Sequence, residues 1–347
     1  MSVKEPLVSI IILNYNAGEL LFNCIKSIKK SNYSNVEIIV VDNVSSDNSH
    51  IKCKEKYQEI KLIQNKENFG YCGGNNIGIK QATGEFVIIL NPDTIVQPDC
   101  IGELVFAYEK IGEGLFQPKI LSLNEENILQ STGNMIHVFG FGFARDKGNK
   151  DNRIDEKIEK IGYASGTCLF TSRKIFEKIG LLDEFLFLYH DDLDLGWRAA
   201  QIGIDSYYVP KSKIFHVESY SLKWSAKKFY WLERNRKYCI LTHYSKKTYS
   251  EMRFSLMLVD LFVWAFYFSK GFLGAKIKAE MDIRRNKVKI EKRYHELENM
   301  KKIPDVELIR KFPDKIFVPT NVSQNSVNQG FNSILTRLSK KIKEKII

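Results

Sequence analysis

The run 87-VIILNPDTIV-96 decides how this chain folds. Apolar residues continue unbroken from Phe86 to Leu90 and stop at Asn91-Pro92-Asp93. Two earlier runs end alike: 8-VSIIILN-14 leads into Asn14-Tyr15-Asn16, and 36-VEIIVVD-42 into Asp42-Asn43. A strand with water on one side alternates apolar and polar residues, whereas an unbroken apolar strand is covered on both faces. Between these runs Leu20, Leu21, Cys24, Ile25 and Ile28 recur at helical spacing. Ser46 or Asp47 caps a helix reaching about Tyr57, 60-IKLIQN-65 reads as a third strand, and residues 74–83 form a short helix between glycines. After the fourth strand, 85–91, Pro98 suits the first turn of a helix running to about Lys110. The alternation predicts an α/β domain built on a mostly parallel sheet with helices on both faces. Ligands of such sheets sit at the carboxyl ends of the strands. Three polar strand ends point to one shared rim, although any one of them alone is equally a turn.

Composition is that of a folded protein, 44% apolar and 27% charged over 347 residues. The six cysteines are scattered and form no CxxC pair, so neither a zinc site nor a disulfide framework is expected, and a reducing cytoplasm fits. The N-terminal apolar run is broken too early by Asn14-Tyr15-Asn16 to be a secretory signal. Charge is uneven: residues 1–221 carry a net −5 and residues 222–347 a net +16. This asymmetry suggests two parts with different partners, an acidic part over 1–221 that suits a metal and a basic helical part over 222–347. The basic part suits nucleic acid or an anionic membrane surface.

Further along, 115–121 and 167–172 are strand-like, and 144–160 is a charged loop expected to be mobile. The stretch 189-YHDDLDLGWRAAQIG-203 has the acidic start and closing glycine of a capped helix. Strands at 205–209 and 213–217 follow, the second carrying His216. The block FSLMLVDLFVWAFYFS (254–269) holds sixteen residues and one charge, Asp260. A spanning helix needs about 20 apolar residues. The block fits a buried helix and an interfacial helix in the headgroup layer equally well. A charged helix over 276–302 comes next.

Asp93 at a strand tip suits a hard cation such as Mg2+ or Mn2+, which can bridge the phosphates of a nucleotide. Asp42 can accept from the imide N–H that uracil and thymine carry, and Tyr15 can stack on a base. The turn 70-GYCGGNNIG-78 can bring backbone N–H groups to phosphate. It lacks the Gly-Lys-Ser/Thr of a Walker A loop and the spacing of GxGxxG, and DNVSSD lacks the glycine and glutamate of an EF-hand. Asp194 and Arg198 form an i,i+4 pair of the kind worth ~0.5 kcal/mol. Asp191 and Asp192 are more than a cap needs. Their repulsion should raise the pKa of one of them, which suits a general base. His216 alone reads as a satisfied strand-end histidine unless it faces Asp93.

VSIIILNYN, VVDNVSSD, ENFGYCGGNNIG, ILNPDT, SGTCLF, FLYHDDLDLGWRAAQIG and IFHV, in this order over about residues 7–217, together resemble glycosyltransferase family 2. The rhamnosyl- and galactofuranosyltransferase branch is the most similar, and RNRKY (234–238) fits it too. The resemblance implies a GT-A fold and inverting, metal-dependent sugar transfer. It implies that Tyr15, Asp42, Gly70, Asn76, Asn91 and Asp93 contact a UDP- or dTDP-sugar, and that Asp93 and His216 hold the metal. Gly166 lies by the acceptor, and Asp192, beside Asp191, is the base. The family's DxD element reads Asn91-Pro92-Asp93 here, and its Glu-Asp pair reads Asp191-Asp192.

A nucleotidyltransferase would carry a basic Gly-rich loop after the first strand, and ILNYNAGELL has none. A nucleic-acid-binding role for the basic part lacks zinc-finger and RRM signatures, and its aromatics are not interleaved with basic residues. The expected partners are a nucleotide-sugar donor, a glycan or lipid-linked acceptor and an anionic membrane, with the protein peripheral on the cytoplasmic face of the cell membrane.

Overall fold

The computed structural model describes residues 5–153, 156–217, 225–317 and 326–346. The first half follows the apolar runs: β1 (Val8–Asn14), α1 (Glu19–Ile28), β2 (Val36–Asp42), α2 (Ser49–Lys56), β3 (Lys61–Gln64), α3 (Gly70–Gln81) and β4 (Phe86–Leu90). β1 lies parallel between β2 and β4, with Asn14 opposite Asp42 and Ile12 opposite Leu90. The polar ends therefore gather at one edge. Successive residues of each strand serve opposite faces. Ile11, Ile39, Val41, Val87 and Ile89 belong to one apolar core, and Ile10, Ile12, Ile38, Val40, Ile88 and Leu90 to the other.

The second half adds β5 (Thr94–Val96), α4 (Cys100–Ile111), β6 (Leu115–Ser122), β7 (Leu129–Ser131), β8 (Asn134–Ile136), β9 (Gly142–Ala144), β10 (Glu159–Ile161), β11 (Cys168–Ser172), α5 (Arg173–Ile179), α6 (Asp191–Gln201) and β12 (Ser206–His216). The sheet order is β10-β12-β6-β11-β4-β1-β2-β3, with β5 on β12 and β7 on β6. β11 runs antiparallel between β4 and β6, so the sheet is mixed at its centre. β5 and β12 pair antiparallel with His216 opposite Thr94, which sets His216 beside the Asp93 turn.

Several local expectations are corrected. The strands at 205–209 and 213–217 are one, β12, with a register shift between Val209 and Lys213. The stretch 144–160 is not all loop, since β10 begins at Glu159, and its described residues carry ion pairs: Lys119 to Asp151 at 2.9 Å and to Glu156 at 2.5 Å, and Arg145 to Glu159 at 2.7 Å. α3 begins at Gly70, four residues early, because Gly70 takes φ +70° and the Asn68 side chain accepts its N–H.

The C-terminal part is helical: α7 (Ala226–His243), α8 (Lys246–Ser269), α9 (Leu273–Arg285), α10 (Lys287–Met300), α11 (Asp305–Lys311) and α12 (Ser326–Ile346). The 276–302 helix is two helices, divided at Asn286, whose side chain bonds back to the Asp282 carbonyl. The 221/222 division lies outside the described residues. On either side of it one core is shared, since Tyr238, Cys239, Met252, Val259 and Leu335 pack in the same cluster as Ile11 and Val87.

α8 has 24 residues and is long and apolar enough to cross a membrane, more than its sixteen-residue apolar block suggested. It is divided by face. Met252, Val259, Val263 and Tyr267 are buried, while Phe254, Met257, Leu261 and Phe268 are exposed.

Candidate active site

A cleft of ≈ 400 Å³ opens at the carboxyl edge of the sheet. Tyr15, Gly70, Asn91, Asp93, Gly166, Asp191, Asp192 and His216 all line it. Residues up to 201 positions apart in sequence thus meet at one place. Tyr15 stands at the rim with half its surface free.

Asp93 and His216 face each other, with Oδ1 3.3 Å from Nε2. The spacing is that of an ion pair, yet the buried Oδ1 has no hydrogen-bond partner. Gln130 explains why. Its side-chain NH2 donates to the His216 carbonyl at 2.9 Å, which leaves its Oε1 2.7 Å from His216 Nδ1. An amide oxygen only accepts, so the neutral imidazole carries its proton on Nδ1 and presents a bare Nε2 lone pair to Asp93. A buried carboxylate oxygen and an imidazole lone pair converging with no proton between them suit a divalent cation, and the Nδ1–H to Gln130 bond is the outer support such ligands use.

Across the cleft, Asp192 opens α6. Its Oδ2 accepts from Gly166 N–H at 3.0 Å and its Oδ1 from Leu193 N–H at 2.8 Å. Tyr71 donates to the Gly166 carbonyl at 2.5 Å, so Gly166 is fixed from both sides. Burial raises the pKa of both aspartates, that of Asp191 far more, with Asp192's charge adding to the effect on Asp191. The two N–H donors oppose the rise at Asp192. Burial and its neighbour's charge thus favour the protonated form at Asp191 more than at Asp192, whose carboxylate the two N–H donors support.

Asp194 turns away from the cleft. Its pair with Arg198, at 2.8 Å, is fully buried, His243 Nε2 is 2.9 Å from its other oxygen, and Arg198 also donates to Leu181 carbonyl. It is a core fixture rather than the surface pair expected, and Arg198 leads the charges that pull its pKa down against burial.

Two expected donor contacts are elsewhere. Asp42 sits behind the rim: Oδ1 accepts from Asn14 at 2.8 Å and lies 3.2 Å from His50, and Oδ2 accepts from Ser45 N–H at 2.9 Å. Asn76 is spent on the 182–184 segment, bonding both the N–H and the C=O of Leu182. The glycine turn offers no open amides at its start either. Gly70 N–H goes to Asn68, and the N–H groups of Tyr71 and Cys72 go to the Phe187 carbonyl. Its glycines serve close packing: a Cβ on Gly74 would fall 2.3 Å from Leu13, and one on Gly70 2.5 Å from Phe187.

Residues 9–180 match the sequence model of the family described as Glycosyl transferase family 2. They form a family 2 glycosyl transferase domain. The chain is 30% identical over 204 residues to the low-salt glycan biosynthesis hexosyltransferase Agl10 of Haloferax volcanii, covering 57% of this chain and 62% of that protein. It is 24% identical over 234 residues to an N-acetylglucosaminyl-diphospho-decaprenol L-rhamnosyltransferase of Mycobacterium tuberculosis, covering 61% of this chain and 76% of that one. The chain thus spans less than two thirds of the first relative's length. The fold resembles that of GalNAc-T7 solved with UDP, GalNAc and Mn2+, with TM-score 0.58 and 17% identity over 70% of this chain and 49% of that one. The architecture is GT-A.

The cleft depends on further groups, most of them outside residues 9–180, that the sequence did not single out as site residues. The Asp191-Asp192 pair follows a segment in which Phe187, Tyr189 and His190 all adopt positive φ, 62°, 67° and 61°. Left-handed backbone at three non-glycine residues persists only when the surroundings enforce it. Asn235 of α7 does so: its side-chain NH2 lies within 3.0 Å of the Leu186, Leu188 and Tyr189 carbonyls. Arg234 adds a bond to Leu186, and Trp231 stacks on Phe187 at 5.0 Å. The signal was present in RNRKY, polar residues buried within a helix. Gln130 gave none.

Proposed function

We propose that the protein is an inverting glycosyltransferase moving a sugar from a UDP- or dTDP-sugar to a hydroxyl of a glycan acceptor, one carried on a lipid. One observation carries this reading: a single cleft presents an orphaned Asp93 oxygen on one wall and the N–H-braced Asp192 carboxylate on the other. Asp93 and His216 would hold Mg2+ or Mn2+, and the ion when bound neutralises charge on the departing diphosphate. Asp192 accepts the proton of the acceptor hydroxyl. The oxygen then bonds to the anomeric carbon from the face opposite the diphosphate, and the old carbon–oxygen bond breaks with its electron pair leaving on the diphosphate. A raised pKa makes Asp192 a better base near neutrality. The raised pKa of Asp191 works against two negative charges standing side by side in the pair. Tyr15 stacks on the base, and Asp42 orders the wall behind it through Asn14 and Ser45. The net +16 of residues 222–347 supports peripheral attachment to the cytoplasmic membrane face, where a lipid-linked acceptor would lie.

Asp192→Asn tests the base role. We expect kcat to fall about 10²–10⁴-fold while nucleotide affinity, read by thermal stabilisation across UDP- and dTDP-sugars, stays unchanged. Equal losses of binding and turnover would overturn it.

A further inference from the structure

We propose that the outer face of α8 docks flat on an anionic bilayer and brings the mouth of the cleft to the lipid surface. Phe254, Met257, Leu261 and Phe268 follow one another at helical spacing, and all stand outside the core, Phe254 64%, Leu261 59% and Phe268 72% exposed. A monomer seldom leaves a contiguous stripe of large apolar side chains in water.

The opposite face of α8 cannot follow into a membrane. Asp260, midway along it, is 2.6 Å from Lys276 of α9 and 3.1 Å from Lys237 of α7. Met252, Val259 and Val263 are sealed in the core. A helix with one face fixed in protein and the other free and apolar lies in the interface, inserting about 5–10 Å.

Charge selects the surface. α12 packs beside α8, with Phe331 6.2 Å from Phe262 and Lys345 reaching the Glu251 carbonyl at 3.2 Å. It exposes Arg337, Lys340, Lys341 and Lys345, while Arg253 and Lys270 flank the stripe on α8 itself. Lys and Arg beside an anionic surface strengthen attachment to it.

The position of the stripe gives it a purpose. At its C-terminal end Tyr267 donates to the Phe229 carbonyl at 2.8 Å, and Phe266 lies 5.8 Å from Phe229. Phe229 directly follows Lys227 and Lys228, which line the cleft. The C-terminal end of α8 therefore packs, through its inward side, on the first turn of α7, which carries the cleft-lining Lys227 and Lys228. An acceptor whose lipid stays in the bilayer could enter the cleft without leaving it. That purpose rests on the lipid-linked acceptor proposed above; the docking itself does not.

Two measurements on the full chain test the docking. All six native cysteines are buried, so Phe268→Cys and Lys52→Cys, one on the stripe and one on α2, can each be labelled with an environment-sensitive fluorophore. On vesicles of 30% phosphatidylglycerol in phosphatidylcholine, we expect several-fold enhancement and a blue shift at position 268 and no change at 52. No response at 268, or equal responses at both, would overturn the proposal. In co-sedimentation, Phe254→Glu/Leu261→Glu/Phe268→Glu should lose at least tenfold in vesicle affinity while keeping its thermal stabilisation by UDP. Unchanged vesicle binding would overturn it, as would a wild-type dimer that the triple variant abolishes without any vesicle binding. Docking without sugar transfer would sink only the enzymatic reading.

Discussion

Gln130 fixes where the proton sits on His216, and so whether Nε2 is free for a cation. We expect Gln130→Leu to weaken metal affinity about 10–100-fold, read from the Mn2+ dependence of donor hydrolysis, with the nucleotide-free fold intact. An unchanged metal requirement would argue that His216 is only a strand-end residue. Asp93, Asp192 and His216 were legible because each stands where an apolar run or a helix begins or ends. Gln130 was not, because it meets His216, 86 residues away in sequence, only where β7 and β12 both pair with β6. Asp191 makes a second test. Its pKa is raised in the fold, so the native state binds a proton that the unfolded chain releases, and stability falls as pH rises above the ordinary carboxyl range. Asp191→Asn removes that loss. It should raise Tm at pH 7 by a few degrees and leave Tm at pH 4 nearly unchanged, by scanning calorimetry.

At the scale of elements, the segment between α5 and α6 is the most demanding. Its left-handed residues cannot satisfy their carbonyls within a helix or a sheet, and α7 does so from the other half of the chain. Buried polar groups left unpaired cost about 1–3 kcal/mol each. Asn235→Leu should therefore release the segment that aims Asp192. We expect kcat to fall at least tenfold and Mn2+ affinity to hold, since Asp93 and His216 belong to the β4–β5 turn and to β12. Equal falls in both would show that Asn235 merely supports the whole fold. The sheet itself was readable from unbroken apolar runs. The early start of α3 was not, because four glycines in a row of twelve residues suggest a loop until Leu13 and Phe187 are seen to require them.

For the molecule as a whole, the uneven charge suggested two parts, and the structure shows their apolar residues in one core. Sequence reports where charge lies; it does not report which apolar faces meet. The shared core should unfold in acid, and the sign can be worked out. His137 joins β8 to the C-terminal segment: Nδ1 accepts from Phe139 N–H at 3.3 Å, and Nε2 lies 3.2 Å from the Asp314 carbonyl. Both ring nitrogens are thus satisfied in the neutral form, and burial lowers the pKa from 6.5 to about 4. His190 is lowered likewise to about 4, by burial and then by the Arg236 charge. Between pH 6.5 and 4 the unfolded chain binds protons that these sites refuse, so stability falls as pH falls through that window. Each histidine would contribute roughly 3 kcal/mol across it. Glu233, held at about 2 mainly by Arg236 and Lys276 against burial, adds its loss only below the ordinary carboxyl range. The two histidines accordingly pull Tm down from about pH 6.5, while Asp191 acts in the opposite sense over the same window, so the histidine share is read by difference between variant and wild type. His137→Asn should make the slope of Tm between pH 6.5 and 4.5 shallower, and an identical slope would remove His137 from the account.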